Sequence, residues 1–184
     1  IIKRALRDIY DNDTKNIYVD GDEGYQKTKF FMKELMPKNL KFVKKYKGKI
    51  PLFHDSGIEK ELNNIFDPTV KLKSGGYLVI NPTEALVAID INSGQSTKAS
   101  NIEKTALNTN LEAAEEISKQ LKIRDLSGLI VIDYIDMMNF HNRKLVEKKM
   151  RETIKRDRAR IQVGRISNFG LLEMTRQRLR EGSI

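Results

Sequence analysis

Two apolar runs constrain this chain more than anything else in it. LVAIDIN at residues 86–92 and LIVIDYIDM at residues 129–137 are rich in branched aliphatics, and each runs into carboxylates at its end. Between them, Ile102, Ala106, Leu107, Leu111, Ala114, Ile117 and Leu121 recur at helical spacing and line one side of a helix. Two buried strands joined by a one-faced helix imply a sheet with a helix laid across it. The carboxylates Asp90 and Asp133 then sit at strand ends, with Asn92 two positions from Asp90 and so on its face. A bare carboxylate beside an apolar strand is costly unless it is paired or metal-bound. Strand alternation puts Asp133 and Asp136 on opposite faces, so only one of them can share a face with Asp90. Two carboxylates from neighbouring strands suit Mg²⁺, which takes carboxylate oxygens and keeps open positions for phosphate. The rival reading of Asp90 is a strand-end cap on a turn or helix.

The rest of the chain extends this pattern. Residues 1–10 have a helical rhythm, 16–20 read as a short strand, 23–35 as a helix stopped by Pro37, 40–46 as a strand and 58–65 as a helix. Residues 71–75 read as a loop. From Gly75, the runs at 77–80 and 86–91 form a hairpin around NPTE. The helix 102–121 and the strand 129–135 follow. Next come a basic helix over 140–160, a strand at 161–166 and a terminal helix at 171–179. The expected fold class is therefore α/β, a mixed sheet flanked by helices. Glu103, Glu112, Glu115 and Glu116 are expected to face solvent or local lysines, and Asp125 to sit in a turn.

Charge points to the substrate class. The 184 residues carry a formal net charge of +9. Ten Lys or Arg fall between Arg143 and Arg165, against Glu147, Glu152 and Asp157. A solvated helix face is the plain account, but that density beside a carboxylate pair suits a phosphate backbone. Arg143, Lys144, Lys148, Arg156, Arg158, Arg160 and Arg165 are the candidate nucleic-acid contacts, with Lys98 in the polar loop after Asn92. Several chemistries are excluded. There is no Cys, hence no disulfide and no thiolate zinc site within these residues. His54 and His141 belong to no HExxH pattern, no serine lies in GxSxG, and no Walker A motif is present. No apolar run approaches the ~18 residues of a membrane span.

Three ordered segments carry a family resemblance. GGYLVINPTEALVAIDINSG (75–94), IEKTALNTNLEAAEEISKQLKIRDLSGLIVIDYIDM (102–137) and RDRARIQVGRISNFGLLEMTRQR (156–178) resemble the catalytic region of the ribonuclease E/G family. RALRDIY (4–10) and GKIPLF (48–53) resemble it more loosely. The resemblance implies a partial, structural RNase H-like subdomain over 1–66 and a DNase I-like catalytic subdomain over 67–184. It implies an endoribonuclease that cleaves single-stranded RNA with Mg²⁺, leaving 5′-phosphate and 3′-hydroxyl ends. The family's metal aspartates fall on Asp90 and Asp133, which selects Asp133 over Asp136, and its supporting asparagine falls on Asn92. The arginine lent to the 5′-monophosphate pocket falls on Arg160. Asp11, Asp13, Asp20 and Asp22 are then not metal ligands.

An S1 domain, most of the 5′-sensor, a zinc-link and a small domain are expected to lie outside these residues. So are the family's route to homo-oligomers and any membrane attachment of an otherwise cytoplasmic protein. The alternative is a non-catalytic RNA-binding or assembly module that keeps the fold. A deoxyribonuclease of DNase I type lacks here the paired histidines expected of that group.

Overall fold

Residues 1–10, 13–94 and 102–178 are described by the structure, a computed structural model. They divide into two compact units, Ile1–Asn64 and Ile65–Ile184. In the first, helix α1 (Ile2–Asp8) packs on α2 (Asp22–Leu35), and strands β1 (Ile17–Val19) and β2 (Val43–Lys45) pair in parallel. Leu6, Met32 and Val43 are its buried centre, with Ile17, Val19 and Tyr25 packed around them. The strand expected at 40–46 is only β2, because Pro37 starts a 3₁₀ turn through Phe42. Two short helices, α3 (Leu52–Asp55) and α4 (Ile58–Asn64), close the unit.

The second unit is built on one mixed sheet. Its strands are β3 (Thr69–Lys71), β4 (Tyr77–Pro82), β5 (Val87–Asn92), β6 (Gly128–Asp133), β7 (Ile161–Ile166) and β8 (Leu171–Arg176), in spatial order β3-β4-β5-β6-β8-β7. Only β5 and β6 run parallel. They are joined by the long helix α5 (Ile102–Ile123), the kind of crossover that parallel neighbours require. Helix α6 (Phe140–Thr153) links β6 to β7 and packs on α5.

Alternation along the strands sorts the two faces. Leu78, Ile80, Val87, Ile89, Ile91, Ile130, Ile132, Leu172 and Met174 are buried against Ala106, Ala113, Ala114, Ile117 and Leu121 of α5 and Val146 and Met150 of α6. Small residues at 106, 113 and 114 let α5 lie close on the sheet. The opposite face, with Val79, Asp90, Val131, Asp133 and Glu173, ranges from half-buried to exposed. Among the described residues no helix is long and apolar enough to cross a membrane.

Three expectations fail in the second unit. The terminal helix at 171–179 is strand β8, followed by extended chain to Arg178. Leu172, Met174 and Arg176 point inward and Glu173 and Thr175 outward, but an arginine at an inward position masks that alternation in the sequence. The basic helix ends at Thr153, passes through a 3₁₀ turn (Ile154–Arg156) and becomes extended at Asp157. The loop expected at 71–75 begins inside β3, a three-residue edge strand too short to show a period.

The end of the basic helix and the inward arginine share one cause. Arg176, 3% exposed, donates from Nε to Asp157 Oδ2 (2.8 Å) and from Nη1 to Asp125 Oδ1 (2.8 Å) and the Leu126 carbonyl (2.9 Å). Asp157 also accepts from the Ala159 N–H (2.9 Å) and so turns the chain out of the helix. Asp125, expected in a turn, holds φ +47° to meet the guanidinium. Removing one member of a buried, hydrogen-bonded ion pair strands its partner's charge. Arg176→Ala is therefore expected to cost the second unit about 3–5 kcal/mol in urea unfolding; a loss under about 1 kcal/mol would contradict this role.

Candidate active site

The parallel register of β5 and β6 makes Asp90 and Asp133 direct partners, both on the open face. Neighbouring strands lie about 4.8 Å apart, so the two carboxylates project side by side. Asn92, on the same face, donates its Nδ2 to Asp90 Oδ2 (2.8 Å) and fixes that carboxylate's orientation. The backbone at this corner is tight: a Cβ on Gly76 would stand 2.6 Å from the Asn92 carbonyl, so only glycine admits the approach.

Asp136 does not lie where alternation put it. Strand β6 ends at Asp133, and the period of two ends with it. Gly170, at φ +80° in the β7–β8 turn, packs against the loop that follows: its Cβ position is 3.1 Å from Asp136 Oδ1 and 4.0 Å from Asp133 Oδ1. Both carboxylates thus approach one glycine. Burial raises the Asp133 pKa above the ordinary aspartate value, and the nearby charges of Asp90 and then Asp136 push it the same way. Among the described residues no three or more His, Cys, Asp or Glu side chains form a ready metal cluster. The donor set is two adjacent carboxylates with a supporting amide, which leaves room for the waters and phosphate oxygens that Mg²⁺ retains.

Three polar side chains of α5 hold this end of the sheet, and the sequence reading missed all three. Asn110, fully buried, donates Nδ2 to the Ile135 carbonyl (2.8 Å) and accepts from the Ile135 N–H (3.1 Å). Glu103 accepts from the N–H groups of Met138 (3.0 Å) and Asn139 (3.2 Å) and from Asn142 Nδ2 (2.7 Å). The Asn142 amide, then those backbone N–H groups, hold its pKa below the usual glutamate value. Glu112 accepts from the N–H groups of Lys73 and Ser74. Glu103 and Glu112 are thus loop anchors rather than solvent-facing charges. Glu116 has a local lysine, Lys119 (3.8 Å), whereas Glu115 pairs across to Lys149 of α6 (3.0 Å). A signal existed for Asn110: it stands among Ala106, Ala113, Ala114 and Ile117 on the apolar stripe.

The basic candidates divide into two groups. Arg143, on the first turn of α6, lines a small hollow with Asp136, Asn168 and Gly170 beside the carboxylates. Arg143 and Lys144 both lie over the Phe140 ring, at 5.8 and 5.0 Å. Lys148 is exposed further along α6, 3.9 Å from Glu152. Arg165 lies in β7, whose register with β8 shifts between Val163 and Ile166. Arg156, Arg158 and Arg160 are exposed at the opposite end of the sheet, where the chain enters β7 beside Arg176. Along β6 that end is roughly 17 Å from Asp133. Lys98, like Asp11, lies outside the described residues. Arg151, not singled out from the sequence, donates to the Val163 and Gly164 carbonyls (2.8 and 2.6 Å) and ties α6 to β7.

The sheet is mixed, helices pack on one of its faces, and a parallel strand pair ends in Asp90 and Asp133, the two residues on which the resemblance puts the family's metal aspartates. The family model described as "Ribonuclease E/G family" matches residues 1–179, and the chain belongs to that family. It is 50% identical over 179 residues to ribonuclease E of Haemophilus influenzae, covering 97% of this chain and 19% of that protein. It is 48% identical over 180 residues to ribonuclease E of Escherichia coli strain K12, covering 97% of this chain and 17% of that protein. Against ribonuclease G of the same strain it is 38% identical over 181 residues, with 98% and 37% covered. The chain therefore spans about a fifth of the length of these two ribonuclease E relatives.

The electrostatic coupling of the pair can be measured directly. Because Asp90 raises the Asp133 pKa, Asp90→Asn should lower the pH at which the Asp133 carboxyl titrates, read by carbon NMR in metal-free protein. An unchanged midpoint would mean that the carboxylates do not feel each other.

Proposed function

We propose that this chain carries the catalytic centre of an Mg²⁺-dependent endoribonuclease, which hydrolyses single-stranded RNA to 5′-phosphate and 3′-hydroxyl ends in RNA processing and decay. The observation that carries the reading is the register pairing of Asp90 with Asp133, with Asn92 bonded to Asp90. Family membership and the names of the relatives support it.

Asp90 and Asp133 would hold the ion. Bound there, Mg²⁺ supplies Lewis acidity toward a phosphate oxygen and lowers the pKa of a coordinated water. The protein's own part is positioning. The Asn92 amide keeps one Asp90 oxygen fixed, so the pair presents a set geometry without reorganisation. Asn110 holds the backbone two residues after Asp133, and Glu103 holds the loop into α6. Arg143 and Lys144 draw the RNA backbone to the carboxylate end. Arg160, at the far end of the sheet, would meet a 5′-phosphate away from the cut rather than at it. In this reading Ile1–Asn64 is the structural, RNase H-like part and Ile65–Ile184 the DNase I-like part.

The test is cleavage of a 5′-monophosphorylated single-stranded RNA with Mg²⁺ and with EDTA. Cuts that need Mg²⁺ and leave 3′-hydroxyl ends are expected. Asp90→Asn or Asp133→Asn should lower the rate about 100-fold or more, and Asn92→Ala about 10- to 100-fold. RNA binding without any cutting at high protein concentration would overturn the catalytic reading and leave a binding module with the nuclease fold.

A further inference from the structure

We propose that Phe169 is a stacking platform for a nucleobase of the single-stranded RNA that lies across the carboxylate pair, an inference that rests on the nuclease reading above. Phe169 stands at the tip of the β7–β8 turn and is 84% exposed. An aromatic ring held in water on a tight turn adds nothing to this unit's core. The turn is nevertheless closely built. The Ser167 N–H donates to the Leu171 carbonyl (2.8 Å), and the Gly170 N–H donates to the Ser167 carbonyl (3.1 Å). The Ser167 hydroxyl oxygen accepts from the N–H groups of Phe169 (3.2 Å) and Leu171 (3.3 Å). The ring is therefore carried on a fixed backbone.

That backbone is fastened to the carboxylate loop. Gly170 is buried, its carbonyl accepts the Tyr134 N–H (3.2 Å), and its Cβ position is in contact range of Asp136 Oδ1. One residue thus separates the exposed ring from the loop that carries Asp133 and Asp136. The neighbouring Asn168 lines the hollow that also contains Arg143. An exposed aromatic ring, an arginine in the hollow that its two chain neighbours line, and carboxylates packed on the next residue are the parts of a single-strand binding groove. Stacking suits such a groove because every base offers a π-face, so contact does not depend on sequence. Phe140 is less suited, since Lys144 and Arg143 already lie over its ring.

The chain contains no tryptophan, so F169W places a single indole at this position. The indole emission is followed while a 5′-fluorescein decauridylate is added with Ca²⁺ in place of Mg²⁺, and binding is read separately from fluorescein anisotropy. The expected result is quenching that tracks binding, with little quenching by a bound abasic strand of the same length. F169L should bind decauridylate roughly 5- to 100-fold more weakly than the parent, and F169Y close to it. Binding without quenching, together with F169L matching the parent, overturns the stacking role and leaves the nuclease reading intact. Emission that shifts with protein concentration and not with RNA means that the ring meets a second copy, which also overturns it. If the parent chain shows no RNA binding at all, the nuclease reading falls and the stacking role falls with it.

Discussion

The parallel pairing of β5 with β6 is the constraint on which the rest of the second unit depends. It sets Asp90 opposite Asp133 and so places two negative charges on adjacent strands, where like charges directly opposite are destabilising. The structure limits that cost by standing the pair on the open face, where water reaches it, and the cost that remains shows in the raised Asp133 pKa, set by burial and then by the charges of Asp90 and Asp136. A site that resists holding both charges alone is also one that gains from a divalent ion between them.

Pairing alone does not fix where the carboxylates point. Asn92 holds the Asp90 carboxylate, and the loops around the pair are braced by α5, which makes the parallel connection and which the protein uses twice. Its apolar stripe covers the sheet. Its polar residues reach the loops at the carboxylate end: Glu103 to the start of α6, Asn110 to Ile135 and Glu112 to the segment before β4. A buried asparagine that satisfies both the N–H and the C=O of one residue leaves that backbone few alternatives. The opposite end of the sheet is tied by Arg176, so the basic turn at Arg156–Arg160 and the carboxylate end are braced by separate networks.

Much of the fold was legible because its strongest signals are long. The hairpin at 77–91, the helix from Ile102 and the strand at 129–133 each rest on repeated apolar residues, and the aspartates stand out against them. What failed to show was governed by partners distant in sequence. Arg176 reads as a surface cation until Asp125 and Asp157 are beside it, and with that misreading β8 becomes a helix. The end of α6 depends on the same ion pair. Strand β3 has three residues and gains its identity only from β4. Asp136 lies beyond the end of β6, where alternation no longer applies, and the sequence does not say where that strand stops. Glu103 and Glu112 look like any other helix-surface acids. The Asp90–Asp133 pairing itself needs the parallel register, which the sequence suggests through the intervening helix but does not fix to the residue.

The central claim is that one divalent ion is held jointly by Asp90 and Asp133. Anomalous diffraction from crystals of the chain soaked in Mn²⁺, an oxygen-seeking stand-in for Mg²⁺, tests it most directly. The account predicts a peak in coordination contact with carboxylate oxygens of both residues, lost in Asp90→Asn. A peak bound by only one of them, or one that persists elsewhere in that variant, would contradict it.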